Sequence, residues 1–124
     1  MADAYRDLIA WRKATQLALD IDRSTQKFPK DELYGLTSQM RRAAVSVASN
    51  IAEGKGRYSR KEFAQFLYRA RGSLLELETQ LFIAQELHYL EPLTSRRMGD
   101  KTKELGRILN GLTKGVLEGI SVSS

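Results

Sequence analysis

The segment MRRAAVSVASNIAEG (40–54), the turn GKGRYS (54–59) and the segment EFAQFLYRARGSLLELETQLFIAQEL (62–87) decide the fold of this chain. In the last segment Phe63, Leu67, Ala70, Leu74, Leu77, Leu81 and Ala84 recur at alternating steps of 4 and 3. That alternation keeps one apolar seam on one side of an α-helix. Leu36, Met40, Ala43, Val47 and Ile51 form a second stripe, and Ala44 and Ala48 keep the adjoining surface small enough for close helix approach. Gly54 and Gly56 predict a left-handed helix end. Ser59, with Glu62 three residues on, predicts a capping box that starts the next helix. The span from Leu36 to Leu90 is therefore expected to be a helical hairpin closed by a basic turn. Gly72 lies inside its second helix at a cost of about 1 kcal/mol relative to alanine. A closely passing backbone would explain it.

Outside the hairpin the same period continues. Trp11, Ala14, Ala18, Ile21, Thr25 and Phe28 make one face of a first helix, widened by Leu8 and Leu17. Phe28-Pro29 ends it, because the residue before proline is pushed out of the helical region. Glu91-Pro92 separates the third helix from a fourth, whose stripe is Met98, Thr102, Leu105, Leu109, Leu112 and Val116. Gly111, Gly115 and Gly119 form a bare strip on that helix, read either as a close-packing surface or as fraying near the C-terminus. The tail SVSS (121–124) is expected to be unstructured. The reading is all-α: a single domain, 1–124, folded as an antiparallel up-down four-helix bundle with helices near 5–27, 36–54, 60–89 and 93–118.

Composition limits the function classes. With 124 residues, 42% of them hydrophobic, the chain can bury one real core. There is no cysteine, so there is no disulfide framework or thiolate metal site. No apolar run approaches the roughly 20 residues that span a bilayer, and the N-terminus does not read as a secretory signal, so no membrane partner is expected. The net charge of +5 is unevenly spread. Residues 1–40 are neutral, 41–71 carry eight basic residues against two acidic ones, and 72–95 hold four acids and no base. The basic excess thus gathers around the hairpin turn, where a polyanion is a candidate partner. The candidate nucleic-acid contacts are Arg41, Lys55, Arg57, Arg60, Lys61, Arg69 and Arg71.

A polar seam runs beside the core. Arg42, Ser46, Asn50 and Glu53 share one side of the second helix, and Ser73 and Glu76 come level with them on the third. Their expected role is structural, as paired groups that fix helix register. The rival is a binding site with Arg42, Asn50 and Glu53 as contacts. Catalytic constellations are not found. A di-iron bundle needs Glu-x-x-His motifs, and His88 has Gln85 three residues before it. His88 is expected at the surface or as a helix cap. The serines lack a base at helical spacing. GKGR lacks the spacing of a phosphate loop. No catalytic residue, metal or cofactor is expected, and the chain reads as a non-enzyme. Trp11, Tyr58 and Tyr68 lie in or near apolar stripes, so core packing is expected of them rather than base stacking.

Gln39, Arg41-Arg42-Ala43, Ser46, Asn50-Ile51-Ala52-Glu53-Gly54, Phe63, Leu67, Gly72-Ser73 and Glu76 carry a resemblance. Together with DLIAWRKA (7–14), they make the chain resemble the four-helix-bundle proteins encoded in intervening sequences of 23S ribosomal RNA genes. Val47-Ala48 stands where many relatives have Ile-Pro, which should only straighten the second helix. The resemblance implies a bacterial cytoplasmic bundle that assembles with itself into a ring, a homopentamer, with no settled biochemical activity. Related proteins include the accessory variability determinants of diversity-generating retroelements, basic pentamers that work with a reverse transcriptase and bind nucleic acid. Expected partners are therefore other copies of the chain, RNA or DNA, and a reverse transcriptase or another protein encoded nearby. The tie to ribosomal RNA is one of gene location. The leading expectation is an oligomeric nucleic-acid-binding or scaffold protein. The alternative is a protein–protein interaction module that binds no nucleic acid.

Overall fold

A computed structural model describes the backbone of residues 4–123 and side chains as far as Gly119. The helices are α1 (Ile9–Thr25), α2 (Leu36–Lys55), α3 (Arg60–Glu86) and α4 (Pro92–Ser123), with short 3-10 helices at Ala4–Asp7 and Lys30–Glu32. No strand occurs among the described residues. Each helix packs on its neighbours in sequence and α4 closes back on α1, whereas the diagonal pairs α1/α3 and α2/α4 do not meet. Short connections between such neighbours make an up-down-up-down bundle.

The buried faces of α2, α3 and α4 follow the predicted stripes. Met40, Ala43, Val47 and Ile51 meet Leu67, Ala70, Leu74 and Leu77, and Met98, Thr102, Leu105 and Leu109 complete the core. The α1 face is rotated from the expected one. Ala10, Ala14, Leu17 and Ile21 are buried, while Trp11 and Ala18 are only half-buried. Both stripes satisfy the helical period. Packing between α2 and α4 selects the first and leaves Trp11 edge-on to Tyr5, with centroids 5.1 Å apart.

The helix ends have identifiable causes. Ser59 Oγ accepts a hydrogen bond from the Glu62 amide at 3.0 Å, the capping contact read from the sequence. The α2 start is capped differently: Glu32 Oε1 accepts from the Leu36 amide at 3.3 Å, and Tyr89 donates its phenol to Glu32 Oε2 at 2.9 Å. The left-handed end expected at Gly54 and Gly56 is not found. Gly56 is right-handed at φ −77°, and no glycine has positive φ. Gly54 serves close approach instead, since a Cβ there would lie 2.7 Å from Phe66 Cβ and 2.9 Å from Phe63 Cδ1. Among the described residues the left-handed one is His88, at φ 61°, just past the end of α3. The helix α2 runs unbroken through Val47-Ala48. The helix α4 extends beyond the expected end into the SVSS tail as far as Ser123, and Ser124 lies outside the described residues.

Candidate nucleic-acid interface

The turn between α2 and α3 is shaped by two phenylalanines. Gly54 lets Phe63 and Phe66 close against the end of α2. Lys55 Nζ then sits 5.8 Å from the Phe63 ring centroid. The guanidinium groups of Arg57 and Arg69 each lie 4.7 Å from the Phe66 centroid. Such contacts attract a cation to the ring by about 0.5–1 kcal/mol at exposed sites and hold it at the surface. Arg60 reaches across to α4, where a Cβ on Gly119 would collide with its guanidinium. Lys61 is exposed beside it.

Lys55, Arg57 and Arg60 border one pocket of about 460 Å³, together with Tyr58. Its opposite wall is α4 at Gly111, Leu112, Gly115 and Val116. No carboxylate is among the residues lining it. Nor does any of Lys55, Arg57, Arg60, Lys61 or Arg69 have a carboxylate within 4.0 Å among the described residues. The ion pairs lie elsewhere: Lys13–Glu104 at 2.8 Å, Arg41–Asp22 at 3.3 Å, Arg23–Asp20 at 3.7 Å, and Lys101–Asp20.

Two of the seven candidate cations do not join the cluster. Arg41 is fourteen residues from Lys55 on α2, about 21 Å along the axis. Its Nε donates to Thr25 Oγ1 at 2.9 Å and pairs with Asp22, which ties it to α1. Arg71 donates to Asn110 Oδ1 on α4. Both side chains serve helix packing.

The expected place of the aromatics also changes. Tyr58 is fully solvent-exposed, Tyr68 is 56% exposed, and Trp11 lines a groove. Tyr58 precedes the α3 N-cap and would ordinarily staple against Phe63 at the fourth helical position. Lys55 holds the Phe63 face instead. The sequence signal for this was the position of Tyr58 inside a glycine-rich basic turn rather than on a helical stripe. Gly111 and Gly115 have nothing within 4 Å of an added Cβ, whereas Gly119 is closely approached by Arg60, so the bare strip on α4 is a packing surface within this chain only at Gly119. It leaves the pocket wall low.

The polar seam divides. Ser46 Oγ and Ser73 Oγ are 2.8 Å apart, and Asn50 Nδ2 donates to Ser46 O at 2.9 Å and to Ser46 Oγ at 3.1 Å. Arg42 and Glu76 are exposed and border one cleft without an ion pair within 4.0 Å. Glu53 faces the α1 side, on a groove of about 730 Å³ that is also lined by Trp11, Leu19, Val45 and Ala48. A second apolar feature lies on the outer face of α3, where Tyr68, Leu75 and Phe82 recur every seven residues and are 56%, 48% and 60% exposed. Among the described residues no cluster of His, Asp and Glu has metal-holding geometry, and no helix is long and apolar enough to cross a membrane.

These features define a basic all-α bundle with a cationic elbow between its middle helices. Residues 6–111 match the 23S rRNA-intervening sequence proteins, and the chain belongs to that family. It is similar in fold to a Bacteroides thetaiotaomicron protein of unknown function from the S23 ribosomal protein family, known from a crystal structure. The two superpose with a TM-score of 0.77 at 19% identity, over 86% of this chain and 99% of that one. No curated protein shows a significant match to the sequence.

Proposed function

We propose that this protein is a non-enzymatic, self-assembling nucleic-acid-binding bundle of the bacterial cytoplasm, and that the elbow is its contact surface. One observation carries the reading: Lys55, Arg57, Arg60, Lys61 and Arg69 gather at one end of the hairpin with no carboxylate within 4.0 Å among the described residues. Arg60 and Lys61 also occupy the first turn of α3. Cations there oppose the helix dipole, at about 0.3–1 kcal/mol each. A phosphate partner reverses that cost. Binding is to backbone phosphates, so it is independent of sequence and falls with salt. Filter binding of a structured RNA at two salt concentrations tests it. With five cations engaged, log K falls against log salt with a slope of about −4 per protomer. Absence of binding at low salt overturns the reading.

Self-assembly is supported by the apolar ridge on α3 and the apolar groove between α1 and α2, which lie on different faces of the same chain. A ridge of one copy set into the groove of the next would be a head-to-tail contact, which generates a ring when the rotation closes. The five-membered ring follows from the family resemblance. Light scattering should then give five times the 14.0 kDa chain mass. The ridge also favours the second reading, an interaction module for a protein encoded nearby, since an exposed apolar strip of this length marks an interaction surface. Retention of that partner by an elbow charge-reversed variant, without any RNA binding by the wild type, would select it.

A further inference from the structure

We infer that the pocket between the α2–α3 turn and α4 receives one unpaired nucleotide of a single-stranded nucleic acid. Its base lies on Tyr58 and its phosphate on Lys55, Arg57 and Arg60. This rests on the nucleic-acid reading of the elbow and specifies which nucleic acid the elbow prefers.

Three observations converge. The Tyr58 ring is wholly exposed at the pocket edge, although a tyrosine preceding an N-cap would normally fold onto the helix. Over Phe63, the ring that a stapling tyrosine would meet, lies the Lys55 ammonium, 5.8 Å from the centroid. Tyr58 therefore keeps an open π-face in the middle of a cationic rim. The pocket, about 460 Å³, falls within the range of small-ligand sites. Its α4 wall is formed by Gly111, Leu112, Gly115 and Val116, and the two glycines have open space where their Cβ atoms would stand. The open space at the two glycines admits a flat base against the apolar Leu112 and Val116.

Chemistry then selects the ligand. A phosphate alone would use the cations and leave Tyr58 idle. A duplex keeps its bases stacked inside and offers the elbow only phosphates. An unpaired nucleotide presents a π-face and a phosphate together, the combination that single-strand-binding proteins engage with aromatics set in basic grooves. Stacking is tolerant of sequence, so no base preference follows from it.

The test is fluorescence anisotropy with a labelled oligothymidylate of about fifteen nucleotides and a duplex of equal length, each over a salt series. Three proteins are compared: wild type, Tyr58→Ala and Gly115→Leu. Both substitutions are at exposed positions and change no charge, and helical circular dichroism verifies that the variants fold. Each variant should bind the single strand about tenfold more weakly, with an unchanged salt slope and unchanged duplex affinity. If Tyr58→Ala weakens neither ligand, or weakens both equally, the pocket assignment is wrong while the electrostatic reading of the elbow stands. If the wild type binds neither ligand at low salt, both readings fall.

Discussion

Ser46 on α2 and Ser73 on α3 meet through their hydroxyls at 2.8 Å, at a half-buried point of the helical hairpin. Asn50 adds a second donor to Ser46. These contacts fix the register that brings Lys55 and Arg57 alongside Phe63 and Phe66. Replacing Ser73 by alanine leaves the Ser46 hydroxyl with Asn50 alone and should cost about 1 kcal/mol. The double variant Ser46→Ala/Ser73→Ala should cost less than the sum of the two single ones. Urea unfolding of the four proteins measures this, and strict additivity would show that the hydroxyls do not interact.

Two glycines of the hairpin should respond to alanine with opposite signs. A Cβ at Gly54 meets Phe66 and Phe63 below 3.0 Å, so Gly54→Ala should lose about 1–3 kcal/mol. Gly72 has nothing within 4 Å, contrary to the close backbone expected there. Gly72→Ala should gain about 1 kcal/mol from helix propensity. Thermal melts of both variants decide the point.

His88 ends α3 in the left-handed conformation. The Tyr89 amide donates to Ala84 O and the His88 amide to Gln85 O, each at 3.0 Å. That is the pattern normally supplied by glycine. His88→Gly should therefore raise stability by about 1 kcal/mol, the cost of a side chain in this region. An unchanged or lower melting temperature would contradict the assignment.

Two pairs give the stability a pH dependence. The hydrogen bond and charge of Lys13 hold the Glu104 carboxyl below its ordinary 4.5. Stability from this pair is present above 4.5 and is lost as pH falls through the lowered folded value. Lys13→Met should flatten the acid limb of the melting curve. The hydrogen bond to Glu32 raises the Tyr89 phenol above 10.0, with desolvation second. Its contribution is present below 10.0 and is lost as pH rises through the raised value, so Tyr89→Phe should flatten the alkaline limb. Parallel curves for wild type and variants would count against both pairs.

Much of the bundle is written locally. The stripes of α2, α3 and α4 recur at steps of 4 or 3 along their whole length, which marks the buried face even on α3, where Tyr68, Leu75 and Phe82 recur only every seven residues, and Ser59-Glu62 marks the start of α3 without tertiary help. The α1 helix was ambiguous because Trp11 and Ala18 repeat as regularly as Ala10 and Leu17. Only its neighbours break the tie. The glycines misled for the same reason: Gly54 answers to Phe66 across the hairpin, and Gly72 answers to nothing. At the elbow, the clustering of Lys55, Arg57, Arg60 and Lys61 was visible from spacing alone. The diversion of Arg41 to Thr25 and of Arg71 to Asn110 depends on partners distant in sequence. The Tyr58 ring stands in solvent while the Lys55 ammonium lies over Phe63.

The account rests on the elbow as a phosphate-binding surface. Reversing it with Arg57→Glu, Arg60→Glu and Lys61→Glu together, and titrating a structured RNA at low salt, is its most direct test. All three side chains are exposed, so the melting temperature should stay within about 5 °C of wild type. Affinity should fall by about two orders of magnitude. Undiminished RNA binding by this folded variant would contradict the account.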